Sequence, residues 1–262
     1  AVMSAALTLG KPEHLDRVMA LCAAFHAEEG ITQTDDARRA ALSPLLDGLP
    51  YGVVYLIGPP RAALRQFFAV LAPVTLLLFA LEFVPPWWSA DALQATRPPL
   101  LWLALLPLSL GAIFVQIAAE ELLYRGYLQQ QLAALFAHPA SWLILTNLAF
   151  GFAHWDIESD LVHNMQYVTW AFCFGLAASD LTARSGTLGP ALAFHLANNA
   201  FAFLLYGEAG GPSSGFALFL FPPESMGDTF TTGSSASISW QLALELLLLG
   251  LMWLAARIGL KR

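Results

Sequence analysis

Residues 100–124 read LLWLALLPLSLGAIFVQIAAEELLY. Up to Ala119 the only interruptions of apolar character are Pro107, Ser109, Gly111 and Gln116; then two adjacent carboxylates follow, Glu120 and Glu121. A run of about 20 largely apolar residues is enough to cross a hydrocarbon core about 30 Å thick as a helix. Working outward, the same signature recurs at 66–84, 140–155, 165–182, 188–206 and 238–258. The chain is therefore expected to be an all-α, polytopic membrane helix bundle with about six transmembrane helices. Tyr127 to Ala137 is too short to cross and reads as a helical continuation or an interfacial segment. Residues 207–237, rich in Gly, Ser and Pro, read as a long loop.

Composition agrees. Of 262 residues, 57% are hydrophobic and 12% charged, with a mean hydropathy of +0.60; an ordinary soluble domain is about 25% charged. Disordered chains have the opposite balance. A formal charge of −7 offers no basic footprint for nucleic acid. Cys22 and Cys173 lie too far apart in sequence to suggest a disulfide framework or a Cys-based zinc site.

The composition changes near residue 65. Residues 1–65 carry 6 basic and 7 acidic side chains, as a small soluble segment would, and 66–262 carry 6 basic and 12 acidic across mostly apolar sequence. The expected division is thus a soluble N-terminal segment (1–65) and a membrane-embedded helical domain (66–262), joined through Gly58-Pro59-Pro60-Arg61. In the N-terminal segment, Lys11–Glu29 has the apolar spacing of an amphipathic helix (Leu15, Val18, Met19, Cys22, Phe25), and Tyr51–Ile57 reads as a strand. That order weakly resembles the start of a GNAT-type acyltransferase, but no Gly-rich loop follows the strand to hold an acyl-CoA phosphate.

Basic residues set the orientation, because Lys and Arg stay on the cytoplasmic side. With the N-terminus inside, Arg61, Arg65, Arg125, Arg184, Arg257, Lys261 and Arg262 fall on the cytoplasmic side and only Arg97 outside. Six crossings with both termini cytoplasmic, in a bacterial inner membrane, is the expectation.

Charge inside such spans costs at least about 2.5–3.5 kcal/mol at mid-depth, so it usually faces a cavity and serves a function. The second span contains Glu120, Glu121 and Arg125 in QIAAEELLYRGYLQQQ. Glu121 and Arg125, four apart with Glu first, share a helix face; Glu120 is rotated from Glu121 by about 100°. The third span ends in Phe150-Gly151-Phe152-Ala153-His154, and the fifth contains His195 and Asn199 one turn apart. Taken singly, each feature also fits an interfacial ion pair or hydrogen-bonded packing between helices. Together they offer a carboxylate able to take a proton from water and a His and an Asn able to donate to an oxyanion. Glu120, His154 and His195 are equally a ligand set for a divalent metal such as Zn²⁺ with one open position. The residues alone leave open whether a metal is required.

These motifs, EExxxR (Glu120, Glu121, Arg125), FxxxH (Phe150, His154) and HxxxN (His195, Asn199), with the turn Arg184-Ser185-Gly186-Thr187-Leu188-Gly189-Pro190, resemble in order and placement the CAAX-protease and bacteriocin-processing (CPBP, or Abi) family. The resemblance covers roughly residues 66–206. It implies an intramembrane endopeptidase acting on a membrane-associated peptide or protein, CAAX-like or a leader peptide. It further implies Glu120 as the base for water, His154 as its partner in placing that water, His195 and Asn199 at the oxyanion, and Glu121 with Arg125 in support. Family members are commonly called metalloproteases, although a Glu/His mechanism is also argued for them. The competing readings are a catalytically silent binding or immunity protein of the same fold, and a proton-coupled transporter using the same acids and histidines.

For Glu120 to reach the depth of His154, the second helix is expected to start near Pro107 and run past Gly126, with Gln129, Gln130 and Gln131 bordering a wet cavity. Elsewhere, Asp180 is expected to pair with Arg184, Glu245 has no evident partner, His163 and Asn164 read as solvated loop residues, and His138 belongs to a turn before Pro139.

Overall fold

The computed structural model describes residues 16, 20, 34–36, 39, 57–83, 93–211, 214–222 and 239–261. The chain divides into two compact units, Ala1–Pro60 and Arg61–Arg262. In the first, Asp16 and Ala20 are helical, and Arg39 pairs with Asp16 at 2.9 Å. Most of the expected strand lies outside the described residues, and Ile57, its last residue, is helical rather than extended.

The second unit is a helical bundle. In chain order its described helices are α1 (Pro60–Leu81), α2 (Pro99–Glu121), a π-helical segment (Leu122–Leu128), α3 (Gln129–Leu135), α4 (Pro139–Phe152), α5 (Leu161–Ser185), α6 (Gly189–Leu205) and α7 (Trp240–Leu260). Among the described residues three stretches are long and apolar enough to cross a membrane: α1, the continuous helix Pro99–Leu135, and α7. The apolar helices α4 and α6 are shorter. Large apolar side chains stand exposed along the helices, Leu76 and Leu108 at 72%, Val115 at 71% and Ile258 at 75%. An apolar exterior on this scale is a surface made for lipid rather than water.

One expectation about the spans is corrected here. The second span starts at Pro99, not near Pro107, which lies within the helix. Pro98 is extended (φ −52°, ψ 120°) because a following proline disfavours the helical region, and Pro99 then occupies the first turn, where its missing N–H costs nothing. The resulting helix of 37 residues is about 55 Å long, well beyond the hydrocarbon thickness. The Tyr127–Ala137 segment continues it, as one of the two readings had it.

The fold also contains a small sheet, so it is not purely α. Strands β1 (Ala95–Thr96), β2 (Tyr206–Glu208) and β3 (Phe219–Phe221) align in the order β1-β3-β2, antiparallel for β1/β3 and parallel for β2/β3. Two of these strands lie in what reads as the long loop 207–237 or at its edge. They are too short to carry a periodic signal. Arg97 fastens the sheet to the neighbouring loop, donating to the carbonyls of Ala217 (3.0 Å) and Ser214, and the Trp102 indole donates to the Leu204 carbonyl at 3.0 Å.

The turn before α6 has a steric cause. Gly186 caps α5 at φ 72°, in the left-handed region that side chains disfavour. Gly189 sits so close to α1 that a Cβ would fall on the Ala63 carbonyl. Behind this contact, Val70, Val74, Phe150, Phe174, Phe194, Leu249 and Met252 form the main core.

Candidate active site

The EExxxR motif lies where the α-helix gives way to the π-helical segment. Such insertions widen a helical turn and are frequent at functional sites. Glu121 and Arg125 are both fully buried and pair at 3.0 Å through Oε1 and Nη1. The same Oε1 accepts from Nδ1 of His195 on α6 at 2.7 Å. An ionised carboxylate accepts only, so Nδ1 carries the proton and Nε2 is turned outward. Nε2 lies 3.9 Å from Oε2 of Glu120, whose other oxygen accepts from Gln116 at 2.9 Å. The two adjacent glutamates thus divide: one is buried behind the imidazole, the other, a quarter exposed, faces it.

Phe150 of FxxxH is the hub of the packing. The Arg125 guanidinium lies 4.3 Å from its ring centre, a cation–π contact. The rings of His154 (4.7 Å), Tyr124 (5.1 Å) and His195 (6.2 Å) meet it edge-on. His154 donates or accepts no hydrogen bond to Glu120 or His195; its Nδ1 bonds the Phe150 carbonyl at 2.8 Å, which likewise leaves Nε2 outward. Tyr167 of α5 packs edge-on against His154 at 5.6 Å. Asn199 is buried one turn beyond His195, and its Oδ1 accepts from Asn198 at 3.1 Å. Glu120, Glu121, Arg125 and His195 are therefore brought into direct contact; His154 joins them through Phe150, and Asn199 through its own helix.

As placed, the candidates for a metal do not form a ligand set: among the described residues no three His, Cys, Asp or Glu side chains gather closely enough to hold an ion. In both histidines Nδ1 is bonded within the protein, so Nε2 is the nitrogen each could offer to water, substrate or an ion.

Beneath the site lies a polar layer that the motifs do not announce. Asn147 of α4, completely buried, accepts from Arg125 Nη2 at 3.4 Å and donates to Ser179 Oγ of α5 at 2.9 Å. Gln129 is buried and donates to the Ser179 carbonyl at 3.2 Å rather than bordering a wet cavity, because the π-helical turn rotates it into the α5 interface. Gln130 and Gln131 are half-buried. A signal for this layer was present, since Asn147 and Ser179 are polar residues within apolar runs.

The remaining polar residues sort as follows. Asp180 pairs with Arg184 at 2.7 Å, as the spacing predicts. Glu245 is half-buried with no hydrogen bond or ion pair among the described residues. His138 caps α4, its Nδ1 accepting from Ala140 N at 3.2 Å. His163 and Asn164 are not solvated loop residues. They sit in the first turn of α5, and buried Asn164 clasps the preceding loop, donating to the carbonyls of Asp156, Ser159 and Asp160 and accepting from Asp156 N.

Residues 99–201 fit the family model described as type II CAAX prenyl endopeptidase Rce1-like, an interval running from the first residue of α2 past Asn199. That stretch is similar to the Rce1-like family, in keeping with the CPBP resemblance carried by its motifs. The chain is also similar to the uncharacterized protein YyaK of Bacillus subtilis (strain 168), 27% identical over 207 residues that take in 67% of each chain. No solved structure matches it. The family points to a CAAX-protease-type hydrolase embedded in a membrane.

Proposed function

We propose that the protein is an intramembrane endopeptidase that hydrolyses a peptide bond of a membrane-associated substrate, CAAX-like or a leader peptide. The observation that carries this reading is the pairing of Glu120 with His195 Nε2 across 3.9 Å, while Glu121 and Arg125 hold the other side of the imidazole. A separation of 3.9 Å leaves both groups within hydrogen-bond reach of one water oxygen. Glu120 takes a proton as the water oxygen bonds to the substrate carbonyl carbon, and returns it to the leaving nitrogen as the C–N bond breaks. Charge develops on the former carbonyl oxygen. The Asn199 amide donates to that oxyanion, and so does His195 once Nε2 has taken up a second proton from solvent, the resulting imidazolium being held by Glu121 at Nδ1. The outward Nε2 of His154 orients water or substrate from the α4 side. Glu121 stands to His195 as the buried carboxylate of a hydrolytic triad stands to its histidine, fixing tautomer and orientation.

In this reading the chain crosses a bacterial inner membrane six times with both termini cytoplasmic. Residues 1–65 form a soluble appendage to the domain 66–262. The distribution of Lys and Arg supports the orientation.

The test uses the full chain in lipid vesicles, with a prenylated CAAX peptide and a membrane-anchored leader peptide as alternative substrates. Glu120→Gln and His195→Ala are each expected to lower turnover about a thousandfold or more while leaving a folded, monodisperse protein. Turnover retained by either folded variant removes the mechanism.

A further inference from the structure

The geometry points to Asn147 as a positioning residue for His195, acting across three helices through Arg125 and Glu121. The inference rests on the reading of His195 as the group that meets the substrate. Its physical ground is the set of contacts that immobilise Arg125. A guanidinium has a forked array of donors, and here its two ends are engaged differently: Nη1 by Glu121 at 3.0 Å, Nη2 by Asn147 at 3.4 Å, with one face on the Phe150 ring at 4.3 Å, while buried Nε has no hydrogen-bond partner among the described residues. Remove the Asn147 oxygen, and among the described residues Nη2 loses the hydrogen bond that fixes the rotation of the fork. Glu121 Oε1 is shared between Arg125 and His195, so a rotated guanidinium draws the carboxylate, and with it the imidazole.

Asn147 is itself held firmly. Its amide nitrogen donates to the Leu143 carbonyl at 2.7 Å and to Ser179 Oγ at 2.9 Å, and Ser179 donates back to Oδ1 at 3.3 Å. One turn earlier on α5, Gly175 clears the space for this amide: a Cβ there would collide with Asn147 Oδ1 and come within 3.0 Å of Arg125 Nη2. The Asn147 amide, the Ser179 hydroxyl and the Gly175 slot thus form one seat for the guanidinium. All the polar members, from Ser179 through Asn147 and Arg125 to Glu121, are fully buried. A connected buried network of this kind transmits displacement, because each member has few alternative partners.

A purely structural Asn147 would tie α4 to α5 and affect only the yield of folded protein. A positioning Asn147 also changes the environment of the His195 ring. The experiment uses the full chain in lipid nanodiscs, isotope-labelled at the histidine nitrogens. The low-field ring proton bonded to Glu121 is identified by its loss in His195→Ala. Asn147→Leu is expected to shift or broaden that resonance, and, on a cleaved peptide, to lower kcat about tenfold to a hundredfold with KM unchanged. Gly175→Ala removes no polar atom but drives the Asn147 oxygen off Arg125, and is expected to act in the same direction. Ser179→Ala should act more weakly. A resonance that stays unmoved in folded Asn147→Leu overturns the proposal, as does one unmoved in Gly175→Ala and Ser179→Ala should Asn147→Leu not fold. A wild-type protein that cleaves neither peptide defeats the protease reading alone, since the resonance still reports whether Asn147 holds the ring.

Discussion

Two acid–arginine pairs occur in this chain at the same spacing and in the same order, and they have opposite surroundings. Glu121–Arg125 and Asp180–Arg184 are both i,i+4 pairs with the acid first, closed at 3.0 and 2.7 Å. The first is wholly shielded from solvent; in the second, Arg184 is 44% and Asp180 27% exposed. Glu121 and Arg125 meet the His195 ring, the Asn147 amide and the Phe150 face. Beside the Asp180–Arg184 pair, the Trp253 indole donates to Asp180 at 3.0 Å. Spacing therefore decides that a pair forms, while depth decides what it is for. A buried pair is stranded if one member goes, whereas an exposed pair is replaced by water.

The largest expected effect follows from that difference. Arg125→Ala leaves Glu121 uncompensated in a dry interior, a loss of about 3–5 kcal/mol. The thermal midpoint of the protein in detergent should fall steeply, with most of the protein lost as aggregate on size exclusion. An unchanged midpoint would mean that Arg125 has access to water, and the contrast between the two pairs would disappear.

How far this contrast was legible beforehand differs residue by residue. The apolar runs located the helices because lipid demands long uninterrupted spans. The E–R spacing, the Phe and His of FxxxH and the His and Asn of HxxxN are local features of single helices, so they could be read in order. The contact of His195 with Glu121 was less accessible: both glutamates were in view, but the π-helical turn after Glu121 alters which side chain points inward. Sequence periodicity assumes a regular helix, and for the same reason Gln129 was assigned to a cavity wall instead of the α5 interface. The apolar run itself starts at residue 100, next to the true start at Pro99; the later start near Pro107 follows from requiring Glu120 at the depth of His154, a demand of tertiary geometry that sequence does not settle. Asn147 and Ser179 meet only through tertiary packing, and a single polar residue in an apolar run does not name its partner. The strands are two or three residues each, below the length at which alternation exists.

The exposed member of the comparison should respond weakly. Arg184→Ala removes a half-exposed partner whose pairing is screened by solvent and salt, an effect of about 0–1 kcal/mol. The thermal midpoint in detergent should move by no more than a few degrees, and less in high salt. A loss approaching that of Arg125→Ala would show that Asp180 is effectively buried, through Trp253, when the protein is in a bilayer.

Asp156 supplies the solvent limit of the same series. It lies in the loop between α4 and α5, fully exposed, and its carboxyl is held below its ordinary range first by the Ser159 hydroxyl, which donates at 2.7 Å, and then by the Glu158 backbone N–H at 3.0 Å. A carboxyl lowered in the folded state binds protons less readily there than in the unfolded chain. Its stabilisation is therefore complete above the unfolded carboxyl's range and is lost as pH falls through the lowered folded value. Ser159→Ala removes the largest cause, so the Asp156 titration, followed by carbonyl-carbon NMR, should move back up toward the ordinary range. The thermal midpoint at neutral pH should hardly change, because water replaces the hydroxyl at no cost in burial. An Asp156 titration that does not move in Ser159→Ala would mean that the backbone N–H, rather than the hydroxyl, organises this loop.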